Sequence, residues 1–230
     1  MVYVDSLYMN EYEIIIGVDP GISGAISIIE NLKRPKVSVH GTPTTTEVKV
    51  VKKKKRYIKH YDLKAMSELI KPYVGKNVLI YMEKVHAMTG QGVTSMFSFG
   101  RGVGIWEGIF AAHGLDYEEV SPSIWKKEYG DRLIQKPLPK PEELKLKPAE
   151  LKKLTEDEKE RIAKIKKEYE SEKRKAKEGA KDAARDLAKE LYPELEDEFK
   201  LKKDSDKAEA LLIAERKRRE LNAQGKIRKR

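Results

Sequence analysis

The sequence predicts a mixed α/β domain interrupted by a charged helical insertion. Three observations carry that reading. Short apolar runs rich in β-branched residues alternate with turn residues in the first half. One run, Val78 to Glu83 (VLIYME), is continuously apolar up to its last residue, as a strand buried on both faces requires. At Asp131 the texture changes and charge takes over.

In chain order, Glu13 to Asp19 (EIIIGVD) is the first strand, stopped by Pro20-Gly21. Gly24 to Glu30 (GAISIIE) is the second and Lys36 to His40 a weaker third. Turn residues between adjacent runs predict antiparallel hairpins. Asp62 to Tyr73 places Leu63, Met66, Leu69 and Ile70 at helical spacing, with Asp62 as N-cap. After the run at 78–83 and a glycine-rich segment, Val103 to His113 reads as a helix. Tyr117 to Val120 is a short strand, and Ser121-Pro122 opens a helix through Trp125.

Beyond Asp131, Pro137, Pro139, Pro141 and Pro148 predict an extended linker. Leu151 to Leu191 then has a helical pattern, and 28 of the 49 residues from Asp131 to Gly179 are charged. Its apolar positions, Leu151, Leu154, Ile162, Ile165, Tyr169 and Ala176, form a stripe too thin for a core. The expectation is an arm paired with itself or with a partner subunit. The last helix begins near Lys207 and runs through Ala214 into a basic tail. There are no internal repeats.

Composition narrows the function classes. With no cysteine, a disulfide framework, a thiol nucleophile and a cysteine zinc site are excluded. No stretch reaches the roughly 20 apolar residues that span a bilayer, and no basic-then-apolar leader opens the sequence. A soluble, cytoplasmic protein is expected, with no membrane partner. The net charge is +10 in 230 residues and unevenly spread. Lys49 to His60 holds seven Lys/Arg and no acid, Asp131 to Gly179 is net +4, and Glu215 to Arg230 is net +6. Together these blocks exceed the total, so the remainder is acidic. Basic appendages around an acidic body suit a polyanionic partner.

Four carboxylates stand out. Asp19 ends an apolar strand at a turn, a place where aspartate is also a common turn former. Glu83 closes the most apolar run, where a carboxylate requires a cation or donors nearby. Asp206 and Glu209 share a helix face, although Asp206-Lys207-Ala208-Glu209 also reads as a capping box. Four converging carboxylates would repel one another. An all-oxygen set without cysteine selects Mg2+ or Mn2+, and two such ions can hydrolyse a phosphodiester.

Five blocks resemble the RuvC-type Holliday junction resolvases. Gly17-Val18-Asp19-Pro20-Gly21-Ile22-Ser23-Gly24-Ala25 is similar to their opening strand, and Tyr81-Met82-Glu83-Lys84-Val85 to their second acidic strand. Gln91 to Gly102 (QGVTSMFSFGRG) and Val120 to Lys127 (VSPSIWKK) look most like the bacteriophage branch. Asp206 to Ala214 (DKAEALLIA) resembles the C-terminal acidic helix. The resemblance implies an RNase H-like fold with three antiparallel strands followed by parallel ones. It further implies a homodimer and Mg2+-dependent paired nicking of four-way DNA junctions, in a bacterial or phage-infected cell. The nuclease domain would span 13–130 and 180–220, with 131–179 as the insertion and 221–230 as the basic tail.

By the same resemblance, Asp19, Glu83, Asp206 and Glu209 are the catalytic ligands of two Mg2+ or Mn2+ ions, Asp19 bridging both. Asp204, two residues before Asp206, is an alternate. Lys181 aligns with a lysine near the scissile phosphate, and equally reads as a helix-surface charge. Expected DNA contacts are Lys52, Lys53, Lys54, Lys55 and Arg56 at a hairpin tip, Arg101 on a close-packed glycine-rich helix, and Lys126 and Lys127. His86 stands three residues after the second acid, where cellular members often carry an aromatic wedge. The insertion lies beside the expected DNA face and would extend phosphate contacts along a DNA arm. Trp106 and Trp125 are expected in the core, and His40, His60 and His113 are unassigned.

Overall fold

In the computed structural model, which describes residues 12–86, 92–134 and 137–225, the chain begins with a three-stranded meander. It comprises β1 (Ile14–Asp19), β2 (Ala25–Glu30) and β3 (Lys36–Gly41), paired antiparallel in turn. A two-stranded hairpin follows, β4 (Thr44–Val51) and β5 (Lys54–Tyr61), then the helix α1 (Leu63–Ile70). Next come β6 (Val78–Glu83), α2 (Val93–Ala112), β7 (Tyr117–Val120) and α3 (Pro122–Lys127). β6 pairs parallel with β1, and β7 parallel with β6. The sheet order β3-β2-β1-β6-β7 makes β1 the central strand. This is the antiparallel-then-parallel sheet, flanked by helices, of the RNase H-like fold that the resemblance implies.

Strand periodicity sorts the core into two layers. Ile14, Ile16 and Val18 of β1, with Ile80 and Met82 of β6, pack on Met66, Ile70, Trp106 and Phe110 of α1 and α2. The alternate residues Ile15, Leu79 and Tyr81 face the other layer. That layer is built from α3, α5 (Glu156–Leu191) and α6 (Ser205–Ala223), and contains Trp125, Leu187, Ala188, Leu211 and Leu212. Gly17 shares this second face. A methyl group there would overlap the Ala210 carbonyl and lie 2.7 Å from the Ala214 amide nitrogen, so glycine lets α6 lie directly on β1.

Several expectations are refined. Asp62 caps α1 as expected, its Oδ1 accepting from the Ala65 amide at 3.0 Å. The helix expected over Val103 to His113 starts ten residues earlier, at Val93. Of its glycines, Gly102 is held by close packing against Tyr61 and the Pro20 carbonyl. Gly100 and Gly104 face open space. The hairpin tip expected at Lys52 to Arg56 belongs to β4–β5, whose strands had no predicted bounds. Its turn residues Lys52 and Lys53 both have positive φ, 49° and 61°, the backbone of a tight type I′ hairpin.

The insertion packs partly on the chain's own proline-rich segment. After the one-turn helix α4 (Pro148–Leu151), a complete capping box between Thr155 and Glu158 starts α5. α5 is about 54 Å long at 1.5 Å per residue. Its C-terminal half packs on α6 through Ala184, Leu187 and Ala188. Farther out, Ile162, Ile165, Tyr169 and Ala176 are half-buried. The proline-rich segment runs back beside them: Tyr169 donates to the Leu138 carbonyl at 3.4 Å, and the 3-10 turn Glu142–Lys145 contacts α5. Arg132 holds Glu190 through two 2.7 Å bonds at the root of the insertion. α6 continues to Ala223 with Leu221 buried, so the expected tail is helical at its start; residues 226–230 lie outside the described residues.

Candidate active site

The two-residue repeat of a strand fixes which way the strand-end acids face. Asp19 lies two residues beyond Gly17, and Glu83 two beyond Tyr81. Gly17 and Tyr81 are register partners in the parallel β1–β6 pair and both face the α6 layer. Asp19 and Glu83 therefore emerge side by side at the C-terminal ends of adjacent strands, on the α6 side of the sheet. Ala210 and Ala214 seat α6 on Gly17; Asp206 lies one turn before Ala210, and Glu209, three residues after Asp206, stands beside it at the same end of the helix.

Carboxylate oxygens of Asp19, Asp206 and Glu209 lie within 4.8 Å of one another. Glu83 lines the same cleft, whose volume is about 300 Å3, together with Ser98, Phe99, Lys177 and Lys181. Its Oε1 accepts a 2.9 Å hydrogen bond from the Trp125 indole. Lys181 Nζ sits 2.7 Å from Asp206 Oδ1, and Lys126 Nζ sits 3.3 Å from Glu209 Oε1. The four acids named from the sequence thus meet in one cleft, each with a neighbour that fixes its orientation.

The electrostatics are those of a crowded anionic site. Burial first, then the charges of Glu83, Asp206 and Glu209, push the Asp19 carboxyl well above the usual range, against a 3.3 Å hydrogen bond from the Gly21 amide. Burial also raises Glu83, partly offset by the Trp125 hydrogen bond. Burial works against the Lys181 charge, yet its bond to Asp206 and the nearby acids hold it above its ordinary value. A divalent cation would relieve this repulsion, and the all-oxygen donor set is that of a hard ion.

Asp204 is placed elsewhere. Its carboxylate accepts from the Leu201 amide at 2.9 Å and closes a 3-10 turn, outside the oxygen cluster. The capping-box reading of Asp206 and Glu209 is overturned as well. α6 starts at Ser205 with Asp204 at its N-cap, and Asp206 accepts from Lys181 and the Ser205 hydroxyl instead.

Of the expected DNA contacts, Lys126 and Lys181 reach the cleft acids. Lys127 is exposed at the end of α3, and Arg101 is exposed on α2 with its guanidinium 6.0 Å from the Tyr61 ring. Lys52, Lys53, Lys54, Lys55 and Arg56 are exposed at the hairpin tip and do not line the cleft. His86 is exposed beside an apolar groove lined by Val85, Met96, Phe99 and Val103. Sequence reasoning placed Trp125 in the core, where it lies fully buried, but missed its bond to Glu83. It also missed Lys177, which sits one helical turn before Lys181.

No family model matches the chain, and no curated protein matches it. Among solved structures it is similar to T. thermophilus RuvC in complex with Holliday junction substrate, at 12% identity over 53% of this chain and 72% of that one, with a TM-score of 0.32. A second similar structure is Thermus thermophilus RuvC, at 12% identity over 50% and 67% of the two chains, with a TM-score of 0.30. The site itself rests on the strand order and the carboxylate geometry of this chain. No described helix is long and apolar enough to cross a membrane.

Proposed function

We propose that the protein is a metal-dependent, structure-selective DNA endonuclease that nicks four-way junctions as a homodimer, in the manner of the phage-type RuvC enzymes it resembles in sequence. The observation that carries this reading is the meeting of Asp19, Glu83, Asp206 and Glu209, from three separate elements, in a cleft walled by lysines. Neither fold stability nor helix capping calls for such crowding, because Asp19 is buried beside three like charges.

Asp19, Glu83, Asp206 and Glu209 would hold two Mg2+ or Mn2+ ions. When bound, such ions supply an activated water and neutralise the leaving oxygen of a phosphodiester. The chain's own groups do the positioning. Asp19 is fixed at the central strand end by the Gly21 amide, and Trp125 turns Glu83 toward the cleft. Lys181 and Lys126 orient Asp206 and Glu209, while Lys181 and Lys177 offer positive charge to an incoming phosphate. Dimer symmetry would set two such clefts against opposed strands. Such an enzyme works in the cytoplasm, where its DNA is.

The test is incubation of purified protein with end-labelled four-way junction, Y-fork and linear duplex, each in Mg2+ and in EDTA, with the oligomeric state measured by light scattering. Paired nicks confined to the junction and lost in EDTA are expected. Comparable cutting of forks would replace junction resolution by general debranching. Binding without cleavage in Mg2+ or Mn2+ would sink the catalytic reading.

A further inference from the structure

A second hollow adjoins the acidic cleft, and in it lysines outnumber acids. The two share the β1–β2 turn (Ile22, Ser23, Gly24), Lys181 and Asp206 as a common wall. Beyond that wall the hollow, about 450 Å3, is lined by Lys59 of β5, Lys202 and Lys203 of a 3-10 turn, Lys207 of α6, and one acid, Asp204, which accepts from the Leu201 amide and lies 4.0 Å from Lys207. Lys207 is engaged, 2.6 Å from Glu198. Lys59, Lys202 and Lys203 are exposed and form no ion pair among the described residues. These three lysines come from segments more than 140 positions apart in the sequence, and the fold brings them to one place.

We infer that this hollow is a phosphate subsite. It holds a backbone phosphate of the cut strand, flanking the one that meets the carboxylates. The inference rests on the nuclease reading and deepens it. A strand laid across Asp206 and Lys181 passes from the acidic cleft straight into the lysine hollow. Charge complementarity selects the occupant: a cluster of unpaired ammonium groups takes a phosphodiester, and lysine does so without base preference. The subsite also gives the β4–β5 hairpin a role at its base, through Lys59, distinct from that of its tip at 52–56. It fixes the strand's direction of travel past the carboxylates, so it positions the scissile phosphate as well as adding affinity.

The test combines Lys59→Ala, Lys202→Ala and Lys203→Ala in one full-length variant. All three side chains are exposed, so unfolding should be unchanged, and thermal denaturation checks this. Junction binding is measured in EDTA across a salt series. Losing the one phosphate contact that the three ammonium groups share should lower the slope of log K against log salt by about 1, and weaken binding about tenfold at 0.1 M salt. Junctions carrying single neutral methylphosphonate linkages on either side of the cut site then locate the subsite. One such linkage should weaken the wild type strongly and the variant little, as a coupled pair does. If the slope is unchanged, or every linkage weakens both proteins equally while the wild type still cuts, the subsite is wrong and the nuclease reading stands. If the wild type neither binds nor cuts DNA, both readings fall together.

Discussion

The Trp125 indole and the Glu83 carboxylate are joined by a 2.9 Å hydrogen bond that ties the first turn of α3 to the end of β6. Trp125 is fully buried and its ring stands edge-on to Tyr129 at 6.5 Å, so the donor is held rigidly. This bond is the chief influence holding down a Glu83 carboxyl that burial raises. Trp125→Phe keeps the ring packing and removes the donor. Glu83 should then rise further, and the Mg2+ concentration for half-maximal cleavage should increase about 10- to 100-fold, the usual cost of losing a ligand's supporting hydrogen bond. Cleavage titrated with Mg2+ at fixed pH reads this directly. An unchanged midpoint would show that Glu83 needs no such support.

Asp19→Asn should abolish cleavage and leave junction binding in EDTA intact. It should also stabilise the metal-free protein. The folded-state pKa of Asp19 is raised above its unfolded value, so the folded form binds its proton more tightly. Stability without metal is therefore fully present below the unfolded pKa and falls as pH rises through the raised value. Asparagine removes that fall. At neutral pH in EDTA, the variant should gain on the order of 1 kcal/mol, a Tm rise of about 2–4 °C at this chain length. Thermal unfolding against pH, with and without Mg2+, checks both signs.

What the sequence made legible follows from burial. Glu83 was visible because it ends the most apolar run, where a charge has no default explanation, whereas Asp19 at its turn also fitted a turn former and stood out only beside the other acids. Asp206 and Glu209 were ambiguous, since acids three apart fit a cap as well as a ligand pair. Only the placement of α6 on Gly17 decides between them. The tip of the β4–β5 hairpin was expected at 52–56, but its strands were illegible because almost all of their length is exposed, including Val48, Val50 and Tyr57, so no alternation of buried residues marks them. The apolar stripe of α5 was visible but its cover was not. A proline-rich segment lying along a helix has no periodicity of its own to announce the packing.

Glu215 carries the opposite pH signature, away from the cleft. It is 2% exposed and accepts from the Tyr192 hydroxyl, from Arg218 and from Arg219 at 2.6–2.9 Å. Burial pushes its carboxyl up, but these hydrogen bonds outweigh burial and hold it below the usual range. Its stabilisation is present above the unfolded pKa and lost as pH falls through the depressed value. Glu215→Ala leaves Arg218 half-buried without its carboxylate and should cost about 3–5 kcal/mol. Denaturant unfolding at pH 7 should show the full loss, and the gap between variant and wild type should narrow in acid.

Gly17→Ala tests the packing that aligns the two halves of the site. The added methyl would overlap the Ala210 carbonyl and crowd Ala214, so α6 must shift off β1. Overpacking of this kind costs about 1–3 kcal/mol. Here the shift also carries Asp206 and Glu209 away from Asp19. Cleavage should fall by more than the folded fraction explains, and the Mg2+ midpoint should rise, since the ligands no longer converge. Loss of stability with normal Mg2+ dependence would separate the packing role from the alignment role.

The outer part of α5 should act on DNA at a distance set by its length. Lys166, Lys167, Lys173 and Arg174 are exposed and make no ion pair among the described residues. The helix from Glu156 to Ala176 reaches about 30 Å beyond the Lys177–Lys181 turn. The four are replaced together by glutamine, and since all lie within about 17 Å of Lys177 along the helix, a duplex arm leaving the cleft along α5 runs beside every one of them. With arms of about 25 base pairs, the salt slope of binding should fall by up to about 3.6, one counterion step of about 0.9 for each cationic side chain neutralised. Equal slopes for variant and wild type on the long-armed junction would mean that this stretch of α5 touches no phosphate of the duplex.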